Sequence, residues 1–316
     1  MEGSITKRRR VEVQNPLLLE TDRRIRLEET NHIYKYKPDE TSDAEIDIRV
    51  SSSRVLDMFF GHFFSHDVAA KVEKNSKDGG RYGDLTYPQI LDRWTRAANE
   101  GTQFHAMAEA YYEIETDEDR QAWDVEFSGM AYRHLIPSFL EFAELTARDG
   151  WLPYRSEKVI YDTSDAPIKY PPGTADMIYQ RVVKGQTQYY LVDFKTAETE
   201  EDFVKTKSPA YASYPLKQVR NSKLYKGHAQ CAVYSALFSR YYGQRIGFQA
   251  IIAFFWGERV PRYKIFRPER SLIPDAEAMI DLYIDQQREI YNPLIEAVMT
   301  NQFNMRFLPS TFKPIK

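Results

Sequence analysis

The stretch that decides the fold is "PPGTADMIYQRVVKGQTQYYLVDFKTAE" (residues 171–198), in which two apolar segments flank the polar turn "KGQTQ". Asp176 lies near the start of the first segment, and Asp193 and Lys195 lie near the end of the second. Residues i and i+2 of a strand share a face, so Asp193 and Lys195 project together while Phe194 points into the core. The gap of 17 residues between Asp176 and Asp193 fits an antiparallel hairpin that brings the two carboxylates together.

Charges at the end of hydrophobic strands need compensation, because a charged group is costly to desolvate unless it is paired or bound to a metal. Two carboxylates held close together repel each other unless a cation lies between them. Carboxylate oxygens suit hard divalent ions such as Mg²⁺ or Mn²⁺. Lys195 would orient or deprotonate a water beside such an ion, the latter only if its pKa is depressed. The pattern predicts a metal site, and a surface ion pair of Asp193 with Lys195 is the alternative.

The composition is that of a globular protein with a sizeable core. The chain has 316 residues, of which 42% are hydrophobic. This length allows one large domain or two. We expect a flexible basic and polar arm over 1–30, a mainly helical region over 31–150, and a β-rich core with a C-terminal helix over 151–316. The expected fold class is α/β or α+β.

Five helices are predicted from apolar periodicity and cap residues. The first covers "RVLDMFF" after the N-cap serines at 51–53. The others cover about 88–114, about 125–147, about 225–242 with Gly243 as the C-cap, and about 274–300. Strands rich in β-branched and aromatic residues surround the quoted stretch, and "NHIYKYK" and "DIRV" further upstream predict a hairpin.

The sequence also limits the compartment and the cofactors. It contains no apolar run long enough for a membrane span and no secretory signal at its start, so we expect an intracellular protein with no membrane partner. Its single cysteine, Cys231, excludes a disulfide framework and a four-cysteine zinc or iron–sulfur site within the chain. The "KRRR" at 7–10 is a nuclear-localisation patch, a phosphate-binding arm or a solvated tail; without it we expect the cytoplasm.

Two helical clusters add chemistry to this picture. Gly101, His105 and Glu109 follow at spacings of four and share one helix face, and Gln230 and Tyr234 do the same on a later helix. Taken alone, residues of these types at these spacings are more often structural or surface residues of a helix.

The order of these motifs carries more information than any one of them. The ordered set resembles the motifs of the RecB-type nucleases of the PD-(D/E)xK superfamily. It consists of "GTQFH" followed by Glu109, then Glu157 before "GTAD", then "DFK" and "QCAVY". The resemblance covers about 31–260. It implies a restriction-endonuclease-like core, in which helices flank a central mixed sheet.

The resemblance also implies roles for individual residues. One or two Mg²⁺ or Mn²⁺ ions would be held by His105, Asp176, Asp193 and the main-chain carbonyl of Phe194. Lys195 would be the catalytic lysine, and Glu157 would hold a second metal or position Lys195. Gln230 and Tyr234 would organise the site and contact the nucleic-acid strand. Some relatives carry a four-cysteine iron–sulfur cluster, which this chain cannot form, and no Walker-type loop for a nucleotide is present.

A basic segment links the DFK strand to the helix of Gln230. It contains no acidic residue between Phe203 and His228 but six basic ones: Lys205, Lys207, Lys217, Arg220, Lys223 and Lys226. Tyr214 is one of the tyrosines between them. Basic groups follow phosphates and aromatic rings stack on bases, so the segment predicts a path for a single strand. A solvated loop is the alternative. We expect Ser53, Arg54 and Glu109 to line the same channel.

Together these features predict a metal-dependent DNA nuclease that hydrolyses phosphodiester bonds with an activated water. We expect an exonuclease that acts on single strands or from a free end. A structure-specific endonuclease or an RNA nuclease is the nearest alternative. A catalytically silent nucleic-acid-binding module and an accessory subunit for a recombination partner protein are the others.

Overall fold

A computed structural model of the protein describes the main part of the chain. The described residues are 22–28, 33–38, 44–60, 65–75, 82–163, 171–207, 209–213, 216–257, 262–268, 276, 278, 279, 281 and 282. The "KRRR" motif and Tyr214 lie outside them, as does most of the helix predicted over about 274–300.

A five-stranded mixed sheet forms the centre of the fold. Its strands, in spatial order, are β4 (Leu152–Ile160), β5 (Gly173–Val183), β6 (Gln186–Ala197), β7 (Ile246–Phe255) and β8 (Arg262–Phe266). All neighbours are antiparallel except β6 and β7, which are parallel. A parallel pair needs a long crossover connection, and a helix supplies it here.

Helices cover both faces of this sheet. They are α1 (Ser52–Phe60), α2 (Ser65–Asn75), α3 (Tyr87–Glu113), α4 (Asp117–Glu126), α5 (Ile136–Arg148), α6 (Glu200–Val204) and α7 (Lys223–Tyr242). Helices α3, α4 and α5 pack on one face, and α1 and α7 pack on the other. The predicted α/β (α+β) class, with a mixed sheet flanked by helices, is therefore confirmed. None of the helices in the described ranges is both long and apolar enough to cross a bilayer.

One helix prediction is wrong. The segment 125–147 does not form a single helix: α4 ends at Glu126, two short 3₁₀ turns follow, and α5 begins at Ile136. Gly129 lies in the first of these turns, and Pro137 lies in the first turn of α5. A proline lacks the N–H that a continuous helix requires but fits a first turn, so it starts a new helix.

Phe194 and its neighbours point to opposite faces of the sheet, as the alternation of the strand predicts. Its side chain is buried, and its ring lies 5.9 Å from that of Phe142 and 6.2 Å from that of Phe254. Asp193 and Lys195, one residue to either side, point to the face that α7 covers, where Gly227 lies close to the Asp193 carboxylate.

A small antiparallel sheet lies beside β4 and β5. It consists of β1 (Ile25–Glu28), β2 (Ile33–Tyr36) and β3 (Ile46–Ile48). The β2–β3 pair is the hairpin predicted from "NHIYKYK" and "DIRV". Strand β1 falls inside the segment predicted as an arm. The Tyr34 hydroxyl lies 3.1 Å from Thr174 Oγ1, which ties the small sheet to the start of β5.

Candidate metal site

The β5–β6 hairpin places Asp176 beside the end of β6, as the sequence predicts. Backbone pairing of the two strands stops at Met177 and Val192. Beyond that point the Phe194 N–H donates to Asp176 Oδ2 at 2.6 Å instead of to a backbone carbonyl. The N–H and C=O of one strand residue point to the same edge, so the Phe194 carbonyl lies on the Asp176 side of β6.

Glu157 lies across from Asp176 on the neighbouring strand. The pairs Ser156 with Met177 and Lys158 with Ala175 set this register. Glu157 itself has a φ of 41°, in the left-handed region that few residues other than glycine adopt. Strained backbone of this kind is found most often at functional sites, where the surrounding structure holds it in place. Here it turns a carboxylate toward Asp176.

Helix α3 contributes the third group. The helix starts at Thr86, whose backbone N–H donates to Gln89 Oε1 at 2.8 Å, and it buries Phe104 and Met107 in the core. His105 lies on the opposite face, with Nδ1 at 3.4 Å from Asp176 Oδ2 and 3.9 Å from Glu157 Oε1.

These three side chains form a group that can bind a metal ion. One donor atom from each of His105, Glu157 and Asp176 lies within 4.8 Å of the other two. The two carboxylates provide the oxygen ligands that Mg²⁺ prefers, and the imidazole provides a nitrogen ligand that transition metals such as Mn²⁺ accept. The donor set thus fits a single divalent cation.

The pKa shifts of these three side chains are those expected at a cation-binding site. Burial lowers the pKa of His105, but the Asp176 carboxylate and its hydrogen bond outweigh burial and raise that pKa to about 10. Burial raises the pKa of Asp176, but the positive charges of His105 and Lys195 hold it below its usual value. Burial raises the pKa of Glu157. In the metal-free protein the proton on His105 supplies the positive charge that the carboxylates require.

Asp193 lies deeper than the other predicted ligands. Its side chain is 1% exposed, its Oδ2 is 2.6 Å from Lys195 Nζ, and it is not part of the three-residue group. Burial raises the pKa of Asp193 against the opposing effect of Lys195. Burial lowers the pKa of Lys195, but Asp193 and Asp176 outweigh it and raise that pKa. The condition for Lys195 to act as a base, a depressed pKa, is therefore not met in the metal-free protein. The role of Asp193 as a ligand stays a prediction.

Gln230 and Tyr234 form the wall of the site on the α7 side. Ser222 caps α7 by accepting from the Tyr225 N–H, and Gly243 ends it with a φ of 63°. The Gln230 Nε2 donates to the Tyr234 hydroxyl at 2.8 Å.

The same wall explains the glycine of the "GTAD" motif. A Cβ on Gly173 would lie 2.2 Å from Tyr234 Cε1, so only glycine lets the tyrosine ring rest on the start of β5.

One groove of about 1240 Å³ is lined by His105, Glu157, Asp176, Lys195, Gln230 and Tyr234, but not by Asp193 or Phe194. Of the residues predicted to bind nucleic acid, four line it as well: Ser53, Glu109, Lys207 and Lys223. The structure does not bring the others to the groove lining: Arg54, Lys205, Lys217, Arg220 and Lys226. Lys226 instead pairs with Asp57 on α1.

The described part of the basic segment between α6 and α7 is a folded loop. Tyr211 pairs with Arg220 in an antiparallel bridge, and the Lys207 N–H donates to the Asn221 carbonyl at 2.6 Å. These contacts bring Lys207 next to the start of α7. The pKa of Lys207 is lowered by burial and by the charges of Lys223 and Lys226. The loop therefore presents concentrated positive charge at one side of the groove.

Sequence reasoning named Tyr234 but missed the other aromatic residues of the groove lining: Tyr34, Tyr82, Trp94, Tyr132 and Trp256. Trp94 has a detectable signal, because it precedes Gly101 by seven residues, or about two helical turns, and so shares the helix face of His105. Trp256 has none, since its place depends on the parallel register of β6 and β7.

The comparisons with known proteins add little to this geometry. No protein-family model and no curated protein matches the chain. A solved structure from Eubacterium rectale, named "Putative exonuclease", is 14% identical over 84% of this chain and 97% of its own, with a TM-score of 0.37. A second, named SSO0001, is 11% identical over 80% of this chain and 77% of its own, with a TM-score of 0.27. Similarity at this level does not assign a function to the chain.

Proposed function

We propose that the protein is a metal-dependent nuclease of the RecB type, which hydrolyses phosphodiester bonds of DNA. The observation that supports this most directly is the group of His105, Glu157 and Asp176 in the same groove as Lys195. Hydrolysis of a phosphodiester requires a water, a way to activate it and positive charge near the phosphoryl oxygens. The groove offers a candidate for each of these.

The ion would be Mn²⁺ or Mg²⁺, held by His105, Glu157 and Asp176. When bound, it would lower the pKa of a water and polarise a phosphoryl oxygen. The imidazole favours Mn²⁺ over Mg²⁺, because Mg²⁺ prefers oxygen ligands more strongly. Asp193 and the Phe194 carbonyl are further proposed ligands, as the resemblance implies.

The chain's own residues have separate tasks in this proposal. The Phe194 N–H donates to Asp176 Oδ2, the oxygen that faces His105, and so fixes the carboxylate in the orientation in which it would bind the ion. Lys195 stays an ammonium through its contact with Asp193, and it donates to the attacking water or to a phosphoryl oxygen. Lys207 and Lys223 attract the flanking phosphates to the groove.

The test is a cleavage assay with a matched control. DNA labelled at either end, single- or double-stranded, and an RNA of the same sequence are incubated with Mn²⁺, Mg²⁺ or EDTA. We expect degradation that requires the metal and is lost in Asp176→Asn and Lys195→Ala. The variant Lys71→Ala, on the exposed face of α2 and away from the groove, keeps full activity. Cleavage that persists in EDTA or in both groove variants contradicts the proposal.

The same assay separates exonuclease from endonuclease action. We propose that the enzyme acts on single strands or from a free end. A substrate whose ends carry bulky adducts stalls an exonuclease, whereas an endonuclease still cuts it internally. Metal-dependent binding without any cleavage would instead favour the catalytically silent module or the accessory subunit.

A further inference from the structure

One end of the groove is lined by aromatic rings that the catalytic proposal does not use. They belong to Tyr82, Trp94, Tyr132 and Trp256. Trp94 and Trp256 are half-buried, so their rings are partly open to the groove, while Tyr132 is buried beneath Trp256 at 4% exposure. The open parts of the two indole rings can contact a ligand in the groove of the candidate metal site.

The rings are held in fixed orientations. The Trp94 indole N–H donates to the Tyr82 hydroxyl at 2.9 Å, and the two rings meet edge to face with centroids 6.0 Å apart. Trp256 stacks on Tyr132, with 5.2 Å between centroids and 17° between planes. The end of β7 fixes Trp256 further, because its N–H donates to the Ala197 carbonyl at 3.0 Å. A surface so constrained is preorganised for a flat ligand.

The arginines at this end are paired within the protein, Arg93 with Glu198 at 3.0 Å and Arg96 with Asp92 at 2.9 Å. The Glu100 carboxylate also lines the groove there and is hydrogen-bonded to Tyr132. Lys207 and Lys223 line the groove as well. The two parts of the groove therefore suit different portions of one ligand. Neutral rings suit nucleobases, and lysines suit phosphates.

The spacing along α3 fits a nucleic-acid strand. Trp94 lies eleven residues before His105 on the same helix face, which is about 16 Å at 1.5 Å per residue. Successive stacked nucleotides rise by about 3.4 Å. Along the helix axis, Trp94 is thus about five stacked nucleotides from His105, within reach of the strand that the site would cut.

We propose that Trp94 and Trp256, supported by Tyr82 and Tyr132, form a stacking platform for unpaired bases of a single-stranded nucleic acid. The platform deepens the proposed function and rests on it for the identity of the ligand. Bases inside a duplex already stack on their neighbours, so a platform of exposed rings selects a single strand. A partner protein that docks on the same rings would give a different outcome in the test below.

The experiment compares two fluorescent 16-mers of equal charge in EDTA, one of thymidine and one of abasic deoxyribose phosphate. Each is titrated with the full chain, and fluorescence anisotropy gives the dissociation constant. We expect thymidine to bind at least about fivefold more tightly, since each stacked base adds at least that factor. Trp94→Ala and Trp256→Ala should reduce this preference and leave abasic binding unchanged. The conservative Trp94→Phe should retain most of it.

Two outcomes overturn the platform. One is equal affinity of the wild-type protein for both oligomers, as a phosphate-only site or a protein-docking face would give. The other is a base preference that Tyr211→Ala abolishes and the tryptophan variants keep, which would place stacking on the basic loop. Because EDTA removes catalysis from the measurement, failure of the platform is distinguishable from failure of metal-dependent cleavage. Thermal unfolding of each variant confirms that it is folded before titration.

Discussion

Lys195 and Asp193 illustrate how one residue pair serves both folding and chemistry. Asp193 is almost fully buried, and Lys195 is its cation at 2.6 Å. Removing one partner of a buried pair leaves an uncompensated charge, at a cost of about 3–5 kcal/mol. We expect Lys195→Ala to lower the free energy of unfolding by about 3 kcal/mol, and the double variant Asp193→Asn with Lys195→Met to recover most of it. Urea denaturation at pH 7.5 measures both.

Cleavage by the double variant separates the two roles. If the pair acts in catalysis, Lys195 on the water or the phosphate and Asp193 as a ligand, the recovered fold stays inactive on labelled DNA. Recovery of activity together with stability would mean that the pair only supports the position of its neighbours.

The proton on His105 predicts a pH-dependent affinity for metal. Its pKa of about 10 means that His105 is protonated at neutral pH, whereas coordination requires the neutral ring. The stability that this proton contributes to the metal-free protein is complete below pH 6.5 and is lost as pH rises through about 10. Bound Mn²⁺ would replace the proton. We expect Mn²⁺ affinity to rise by up to about tenfold per pH unit over this window.

Calorimetry at pH 7.5 in PIPES and in Tris tests this replacement, because the two buffers take up protons with different heats. The observed binding heat should differ between the buffers by the heat of about one proton. His105→Gln should weaken binding and remove the difference. Heats that do not depend on the buffer would show that His105 is not displaced by the ion.

At the scale of single residues, the sequence predicts the identity of the site residues better than it predicts how far each side chain is buried. Its ordered motifs named His105, Glu157 and Asp176, and the structure brings these three together. The depth of Asp193 could not be read from its motif, because it depends on how closely α7 approaches. A Cβ on Gly227 of that helix would lie 2.7 Å from Ile251 Cδ1. Such contacts are tertiary and leave no local pattern.

At the scale of elements, helix α7 approaches strand β5 most closely at a glycine. A Cβ on Gly173 would overlap the Tyr234 ring, which is 2% exposed and has no space to move into. Overpacking of this kind costs about 1–3 kcal/mol. We expect Gly173→Ala to lower the free energy of unfolding by this amount and to weaken Mn²⁺ binding, because Asp176 lies on the same strand.

Gly247 provides the matched control for this substitution. It also lies in a strand, β7, but its Cβ would meet nothing closer than 3.7 Å. Gly247→Ala should change stability by less than about 0.5 kcal/mol. Denaturation curves of the two variants that shift equally would contradict the close approach of Tyr234.

Helices could be predicted from the sequence where cap or breaker residues mark their first and last turns. The bounds of α3 agree with the prediction to within about one residue, because Thr86, Gln89 and Pro88 mark its start. The predicted helix over 125–147 failed because apolar periodicity continues through Gly129 and Pro137, and the breaker residues were outweighed. The parallel pairing of β6 with β7 follows from no local pattern, so the position of Trp256 was beyond sequence reasoning.

At the scale of the whole molecule, net charge is a poor guide to nucleic-acid binding. The chain carries a formal charge of −3, yet Lys207 and Lys223 line the groove of the candidate metal site. Each phosphate contact of a single strand adds about 0.7 to the slope of log affinity against log salt. The local arrangement of two lysines should therefore outweigh the overall charge.

Two double variants with the same net charge test this directly. Lys207→Ala with Lys223→Ala and Lys71→Ala with Lys74→Ala each change the formal charge from −3 to −5, but only the first pair lines the groove. We expect the groove pair to reduce the salt slope by about 1.4 and the control pair, on α2, to leave it unchanged. Anisotropy titrations of a thymidine 16-mer in EDTA at four NaCl concentrations give the slopes. Equal slopes for the two variants would mean that the strand follows another surface.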